Sequence, residues 1–66
     1  MSEYRYSLVR RPGSYAFVSL FKSDEELLAG LDRHGLISAA AYDMPIGDVI
    51  DQVNNVNGGE AEVTIG

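Results

Sequence analysis

The chain has one histidine, His34, which is the side chain expected to titrate unaided near neutral pH. A catalytic general base needs a positioned partner, but residues one or two apart on a helix do not face each other, which leaves Asp32 and Arg33 unsuited to that role. His34 also falls in the predicted last turn of a helix, where a positive charge suits the helix dipole. We therefore expect a structural or solvated histidine rather than a catalytic one.

The residue patterns typical of metal-binding and phosphate-binding sites are absent from this sequence. There are no cysteines, and Asp43, Asp48 and Asp51 lack the alternating acids, central glycine and closing glutamate of a calcium loop. The pair Gly58-Gly59 is not followed by Lys, Ser or Thr entering a helix, as a phosphate-binding loop requires. The sequence therefore predicts a protein that is not an enzyme and that holds no metal and no cofactor.

Two adjacent arginines, Arg10 and Arg11, stand beside the rigid turn Pro12-Gly13. Guanidinium groups in such a place can clamp a phosphate or carboxylate, and Tyr15 could stack on a base. A homo-oligomer could bring these arginines together across a symmetry axis and so form an anion pocket that a monomer lacks. One hypothesis is therefore a homo-oligomeric binder of a small anionic ligand such as a nucleotide. The competing interpretation is that a hairpin tip simply needs polar residues.

The formal net charge of −5 comes entirely from the second half of the chain. Residues 1–33 hold five basic and five acidic side chains, whereas residues 34–66 hold five acidic side chains and no Lys or Arg. Those five are Asp43, Asp48, Asp51, Glu60 and Glu62. The absence of cations argues against direct nucleic-acid binding through this half, since phosphate attraction needs Lys and Arg. Keeping a small protein soluble is the simpler explanation of the charge.

The leading hypothesis treats four of these acids, Asp48, Asp51, Glu60 and Glu62, as a surface that binds a basic cleft in a protein partner. In size, charge and lack of catalytic groups, the chain is similar to small acidic inhibitors encoded by phages and mobile elements. That resemblance implies an inhibitor of a nucleic-acid-handling or defence complex, with no direct contact to nucleic acid or membrane. A purely structural subunit with an apolar interface is a third interpretation.

The second helix supplies two of the four acids and has the clearest periodicity in the chain. Its apolar residues recur at i, i+3, i+4 and i+7, which is one stripe of a helix. They are Ile46, Val49, Ile50 and Val53. This stripe turns Asp48 and Asp51 outward. Asp43 is expected to cap the helix, Pro45 to occupy its first turn, and the Asn- and Gly-rich residues 54–59 to end it.

The N-terminal part of the chain predicts a β-hairpin. Polar and apolar residues alternate over 4–8, with Tyr4, Tyr6 and Leu8 inward, and the strand extends to Arg10. Residues 11–14 predict a turn in which Pro12 fixes φ and the next residue takes positive φ. The run 15–21 is apolar on both faces, which indicates a central strand.

Three further segments complete the predicted order. Ser23 and Glu26 form a capping-box pattern that opens a helix over 24–34, closed by Gly35. Residues 36–42 are alanine-rich, but their length between breakers favours a strand. Residues 60–65 predict a last strand with alternate residues inward. The inward residues are Ala61, Val63 and Ile65.

These elements predict a single α+β domain, residues 1–66, of order ββαβαβ. Its four-stranded mixed or antiparallel sheet would carry both helices on one face. This order resembles that of β-grasp domains in architecture, without a shared motif. A cysteine-free chain of 66 residues has a marginal core, so a homo-oligomer or a bound partner is one expected source of extra stability, and a plain monomer is the equally weighted alternative. The first residues lack a signal-peptide pattern and no run of 18 apolar residues occurs, which predicts a cytoplasmic protein without a membrane anchor.

Overall fold

The computed structural model describes residues 3–57 and 59–66. Within them, a three-stranded antiparallel sheet packs against two α-helices, and a short 3₁₀ helix connects the helices. The elements in order are β1 (Tyr6–Arg10), β2 (Phe17–Phe21), α1 (Asp24–Arg33), the 3₁₀ helix (Ala39–Asp43), α2 (Ile46–Val56) and β3 (Ala61–Ile65). The α+β class is confirmed, whereas the four-stranded sheet of order ββαβαβ is wrong because the described residues form three strands.

The first strand of the chain is the central strand of the sheet. The strand order is β2-β1-β3, and β1 is antiparallel to both neighbours. Leu8 pairs with Ser19 on one side and with Val63 on the other. The predicted hairpin is confirmed, with Gly13 at φ 104° in its loop. The prediction that the run 15–21 forms a central strand is wrong, because β2 begins at Phe17 and lies at an edge of the sheet. One of its two apolar faces is therefore left uncovered.

One buried cluster holds the sheet and both helices together. It combines the inward face of β1, the leucines of α1, the apolar stripe of α2 and the inward residues of β3. Its fully buried large side chains are Leu8, Leu27, Leu31, Val49 and Val53. Because both helices contribute to the same cluster, they cover the same face of the sheet. Two residues predicted inward are exposed: Ile65 lies near the end of β3, and Tyr4 precedes β1.

Local hydrogen bonds at both ends of α1 explain its bounds. The Ser23 hydroxyl accepts the Glu26 backbone N–H at 3.2 Å, as the capping pattern predicts. The return bond differs, because the Glu26 carboxylate accepts the N–H of Lys22 at 2.9 Å. At the other end, Gly35 takes φ 71°, and the N–H of Leu36 donates to a carbonyl five residues earlier. This is the Schellman arrangement that ends a helix and redirects the chain.

The segment 36–42, predicted as a strand, contains the first part of the 3₁₀ helix. Three consecutive alanines favour a helical turn, and the N–H of Ala41 donates to Ser38 at 3.0 Å. Ala41 is buried while Ala39 and Ala40 are exposed, which is a helical rather than an alternating pattern.

The helix α2 begins later than its sequence indicates. Asp43 is the last residue of the 3₁₀ helix and does not cap α2. Pro45 is the N-cap residue instead of lying inside the first turn, and its carbonyl accepts the N–H groups of Asp48 and Val49. At the C-terminus, helix continues through Val56, past the position where the sequence predicted a turn. The buried stripe on this helix is confirmed at Val49, Ile50 and Val53, with Ile46 partly buried.

Candidate functional site

The predicted acidic residues of α2 are exposed and lie on the side of the helix away from the core. Asp48 and Asp51 are spaced by three residues, and Asn54 continues the same row after another three. The side chain of Asn54 extends from this face of α2 to β3. Its amide Nδ2 donates to the Val63 carbonyl at 3.1 Å, and its Oδ1 accepts the Val63 N–H at 2.7 Å. The acidic row therefore leads directly to the outer edge of β3.

The two glutamates of the predicted surface belong to the strand itself. Glu62 is exposed between the buried Ala61 and Val63, so its side chain lies on the sheet face opposite the helices. Glu60 is exposed just before β3, and its backbone pairs with Arg11 N–H at 2.8 Å. The four acids therefore lie along one edge of the molecule, with Asp48 and Asp51 in the helix layer and Glu60 and Glu62 in the sheet layer. We call Asp48, Asp51, Glu60 and Glu62 together the acidic edge.

The carboxylates of the acidic edge have no intramolecular partner within 3–57 and 59–66. The one ion pair in that part of the chain joins Arg5 to Asp24 at 3.9 Å, in the N-terminal half. Asp24 also accepts the hydroxyl hydrogen of Tyr6, and Asp32 of the same half accepts that of Tyr42. The rise of about 1.5 Å per residue in α2 separates Asp48 and Asp51 by about 4.5 Å along the helix axis, the rise of about 3.3 Å per residue in an extended chain separates Glu60 and Glu62 by about 7 Å, and the two pairs lie on different layers. Such a spread suits a macromolecular surface rather than one ion.

The edge of β3 is closed to an added strand at Val63. Backbone groups of successive strand residues point to opposite sides, and those of Val63 point away from β1. A neighbouring strand would pair with those two groups. The side-chain amide of Asn54 already binds both. A partner at the acidic edge must therefore recognise side chains rather than extend the sheet.

The structure separates the residues of the anion-binding hypothesis. Arg10 lies on the helix-covered face, where its Nη1 donates to Nδ1 of His34 at 3.1 Å. Arg11 is exposed, and its Nη1 donates to the carbonyl of Gly59 at 3.1 Å. Tyr15 is 74% exposed in the hairpin loop. Within one copy of the described chain, these three side chains do not converge on a common site.

A small cavity beside Arg10 is formed where several elements end. Its volume is about 140 Å³, below the roughly 300 Å³ at which small-molecule sites begin. Its walls include His34 and Asn57, the C-cap residues of α1 and α2, together with Glu60. The C-termini of the two helices and the Glu60 carboxylate give the cavity a negative potential, which Arg10 in its wall opposes. The cavity is therefore poorly suited to an anion, and Arg10 has a clear structural role there.

These surroundings favour the neutral form of His34. Partial burial is the main cause that lowers its pKa, and the positive charges of Arg10 and Arg33 lower the pKa further. Because an arginine can only donate, Nδ1 of His34 must carry the lone pair. The ring is then an acceptor for Arg10 and a structural link between β1 and the end of α1. No carboxylate partner that would raise its basicity is bonded to it in the described chain.

Sequence reasoning missed the residues that give this region its shape. The sequence predicts Asn54 in the closing turn of α2, and no local pattern distinguishes it from the exposed Asn55. Arg10 and His34 lie 24 residues apart, so their contact depends on the way α1 returns over β1. Gly30 was also missed, although a glycine inside an otherwise regular helix is a signal of close packing.

Comparisons with known proteins give no assignment. No protein-family model matches this chain, and no curated protein or solved structure matches it at a significant level. Among residues 3–57 and 59–66 there is no cluster of three or more potential metal ligands of the His, Cys, Asp or Glu type. Neither α1 nor α2 has the length and apolar character needed to cross a bilayer.

Proposed function

We propose that this chain is a non-enzymatic protein that binds a basic protein partner through its acidic edge. The observation that carries the proposal is the state of the carboxylates of Asp48, Asp51, Glu60 and Glu62. All four are exposed, and none is used in an ion pair or hydrogen bond within the described chain. Residues 34–66 contain no Lys or Arg that could neutralise them. Their negative potential is therefore available to an external cation-rich surface.

The geometry supports recognition by charge rather than by backbone pairing. Asn54 closes the β3 edge, so the partner's Lys and Arg side chains would contact α2 on one side and Glu62 on the other. A basic cleft that normally holds nucleic-acid phosphates has this complementary character, and an inhibitor of a nucleic-acid-handling or defence complex is the specific role we propose. Its site of action would be the cytoplasm, which a cysteine-free composition suits.

The test reverses charge at the edge and compares it with the same reversal elsewhere. The partner is first recovered with the tagged protein from the cells that naturally make it, then purified. Asp48→Lys with Asp51→Lys changes the net charge by four units, from −5 to −1. Glu3→Lys with Glu25→Lys gives the same net charge through exposed acids away from the edge.

We expect the edge variant to lose affinity by at least about tenfold, because like charges then face each other across the contact. The control variant should change affinity by less than about threefold, since it alters only the overall field. Binding of the unaltered protein should weaken as salt rises. Equal loss in both variants, or no loss in the edge variant, would contradict the proposal.

The nucleotide-binding alternative is checked by calorimetry with ATP. Our proposal expects no saturable heat with the unaltered protein, because Arg10 is bound to His34 and the cavity beside it is too small. Saturable binding that disappears in the Arg10→Ala, Arg11→Ala variant would favour the alternative.

A further inference from the structure

The outer edge of β2 differs from the closed edge of β3. The backbone groups of Val63, the β3 partner of Leu8, point away from β1, and Arg11 N–H donates to Glu60, so the odd-numbered residues of β1 direct their backbone groups toward β3. Arg5, which precedes β1, accepts from Gly66 on this side while its N–H donates to Phe21 on the other. Even-numbered residues of β1 therefore face β2. By the register of β1 with β2, the N–H and C=O groups of Val18 and Leu20 point outward. No strand of the described chain lies beside them.

This open edge lacks the features that normally protect an edge strand. Charged side chains, proline, bulges or a covering element discourage further pairing. The strand Phe17–Phe21 has no charged residue and no proline. Three of its apolar side chains are substantially exposed: Phe17 at 54%, Val18 at 62% and Leu20 at 48%. By contrast, β3 carries Glu62 and is closed by Asn54.

The sequence of β2 is nearly the same when read in either direction. Phe-Val-Ser-Leu-Phe is centred on Ser19, with an aromatic residue at each end and a branched aliphatic residue on each side of the centre. An antiparallel pair of two identical strands related by a two-fold axis at Ser19 would align Phe17 with Phe21 of the second copy. It would also align Val18 with Leu20 of the second copy, and these are the residues whose backbone groups point outward. Hydrogen bonding and side-chain pairing therefore select the same register.

Charge also favours an antiparallel second copy. Residues 4–23 contain basic but no acidic side chains, whereas α1 begins with Asp24, Glu25 and Glu26. A parallel arrangement would place the acidic first turns of two copies together. The antiparallel arrangement instead places the two acidic turns at opposite ends of the strand pair, which reduces their mutual repulsion.

We propose that two copies of this chain join through the outer edges of their β2 strands, antiparallel and centred on Ser19, to form a continuous six-stranded sheet. Val9, Val18 and Leu20 of each copy then form one apolar band on the face opposite the helices. Phe17, which is exposed in the single chain, lies beside Phe21 of the second copy. The isologous arrangement leaves both acidic edges at the outer ends of the sheet, free for separate partners.

The test combines native mass with a charge-exchange pair. Sedimentation equilibrium of the unaltered protein over a range of concentrations should show a species of twice the 7.2 kDa chain mass. The variant V18K/L20K places Lys opposite Lys at both positions in the dimer, and V18E/L20E places Glu opposite Glu. Each should raise the dimer dissociation constant about 10- to 100-fold. Both sites are exposed in the single chain, so circular dichroism should show an unchanged fold.

Mixing the two variants tests whether positions 18 and 20 of the two copies face each other. In a mixed dimer every Lys faces a Glu, so we expect dimers to return in the mixture at concentrations where each variant alone is monomeric. A control with the same change of charge, Thr64→Lys with Ile65→Lys at exposed positions of β3, should leave dimerisation intact. An unaltered protein that stays monomeric, a V18K/L20K variant that still dimerises, or a mixture that does not restore the dimer would each overturn the proposal.

Discussion

The side-chain amide of Asn54 binds both backbone polar groups of Val63, with distances of 3.1 Å to the carbonyl oxygen and 2.7 Å to the amide nitrogen. The Asn54 amide thus makes the two hydrogen bonds that a residue of a neighbouring strand would otherwise make. This contact fixes α2 against β3. It also makes the two edges of the sheet chemically different, because β2 has no equivalent cover within the described chain.

Replacing Asn54 by alanine should destabilise the fold by about 1–3 kcal/mol, because two partly buried backbone groups lose their partners. Urea unfolding followed by circular dichroism measures this change. The adjacent Asn55→Ala is the matched control, since Asn55 is exposed and its side chain makes no hydrogen bond in the described chain; it should change stability by less than about 0.5 kcal/mol. Equal stabilities of the two variants would mean that the Asn54 contact contributes nothing.

Gly30→Ala should destabilise the protein by about 1–3 kcal/mol, because a Cβ at this position would overlap the ring of Phe21. The control is Gly47→Ala, the same change on α2 where the added Cβ meets open space. That variant should gain up to about 1 kcal/mol from helix propensity. Thermal unfolding of the two proteins compares them directly. A second change, Phe21→Leu, should restore part of the stability lost in Gly30→Ala.

The folded-state pKa of His34 is lowered from its ordinary value of 6.5, so protonation favours the unfolded chain. The contribution of this group to stability is therefore constant above about pH 7 and becomes unfavourable as the pH falls below 6.5 toward the folded-state pKa. NMR titration of the ring gives that pKa. Arg10→Gln should raise it by removing a positive charge. His34→Gln is the control that removes this part of the pH dependence of unfolding, and an unchanged pH profile in that variant would contradict the assignment.

Removing the Ser23 hydroxyl with Ser23→Ala should cost about 1 kcal/mol, because the Glu26 N–H loses its acceptor at the start of α1. Ser38 occupies the equivalent position before the 3₁₀ helix but makes no capping hydrogen bond through its side chain. Ser38→Ala should therefore have little effect. Denaturant midpoints measured side by side distinguish the two serines, and a larger loss at Ser38 would refute this account.

The features that depend on residues close together in the chain were predicted correctly from the sequence. The capping serine, the glycine that ends α1 and the apolar stripe of α2 all depend on residues within a few positions of one another, and all three are present. The hairpin is also a local feature. The sequence therefore predicted the α+β class and the outward direction of Asp48 and Asp51.

The errors concern relationships between distant segments. An apolar run such as 15–21 is compatible both with a central strand and with an uncovered edge strand. Its periodicity therefore does not determine the position of the strand in the sheet. Segment 36–42 was assigned to the sheet by length, although its alanines favour a helical turn. The contacts of Arg10 with His34 and of Asn54 with Val63 depend on the three-dimensional arrangement, which no short motif in this chain encodes.

The central position of β1 also limits the order in which the chain can fold. Leu8 and Val63 are paired across the sheet but are separated by 55 positions, so their meeting requires closure of nearly the whole chain. The hairpin and α1 can assemble early from neighbouring residues, but one side of β1 stays open until β3 arrives. We expect a chain lacking residues 61–66 to show the circular dichroism of an unfolded protein. Folding should therefore be all-or-none, with capture of β3 as its slow step.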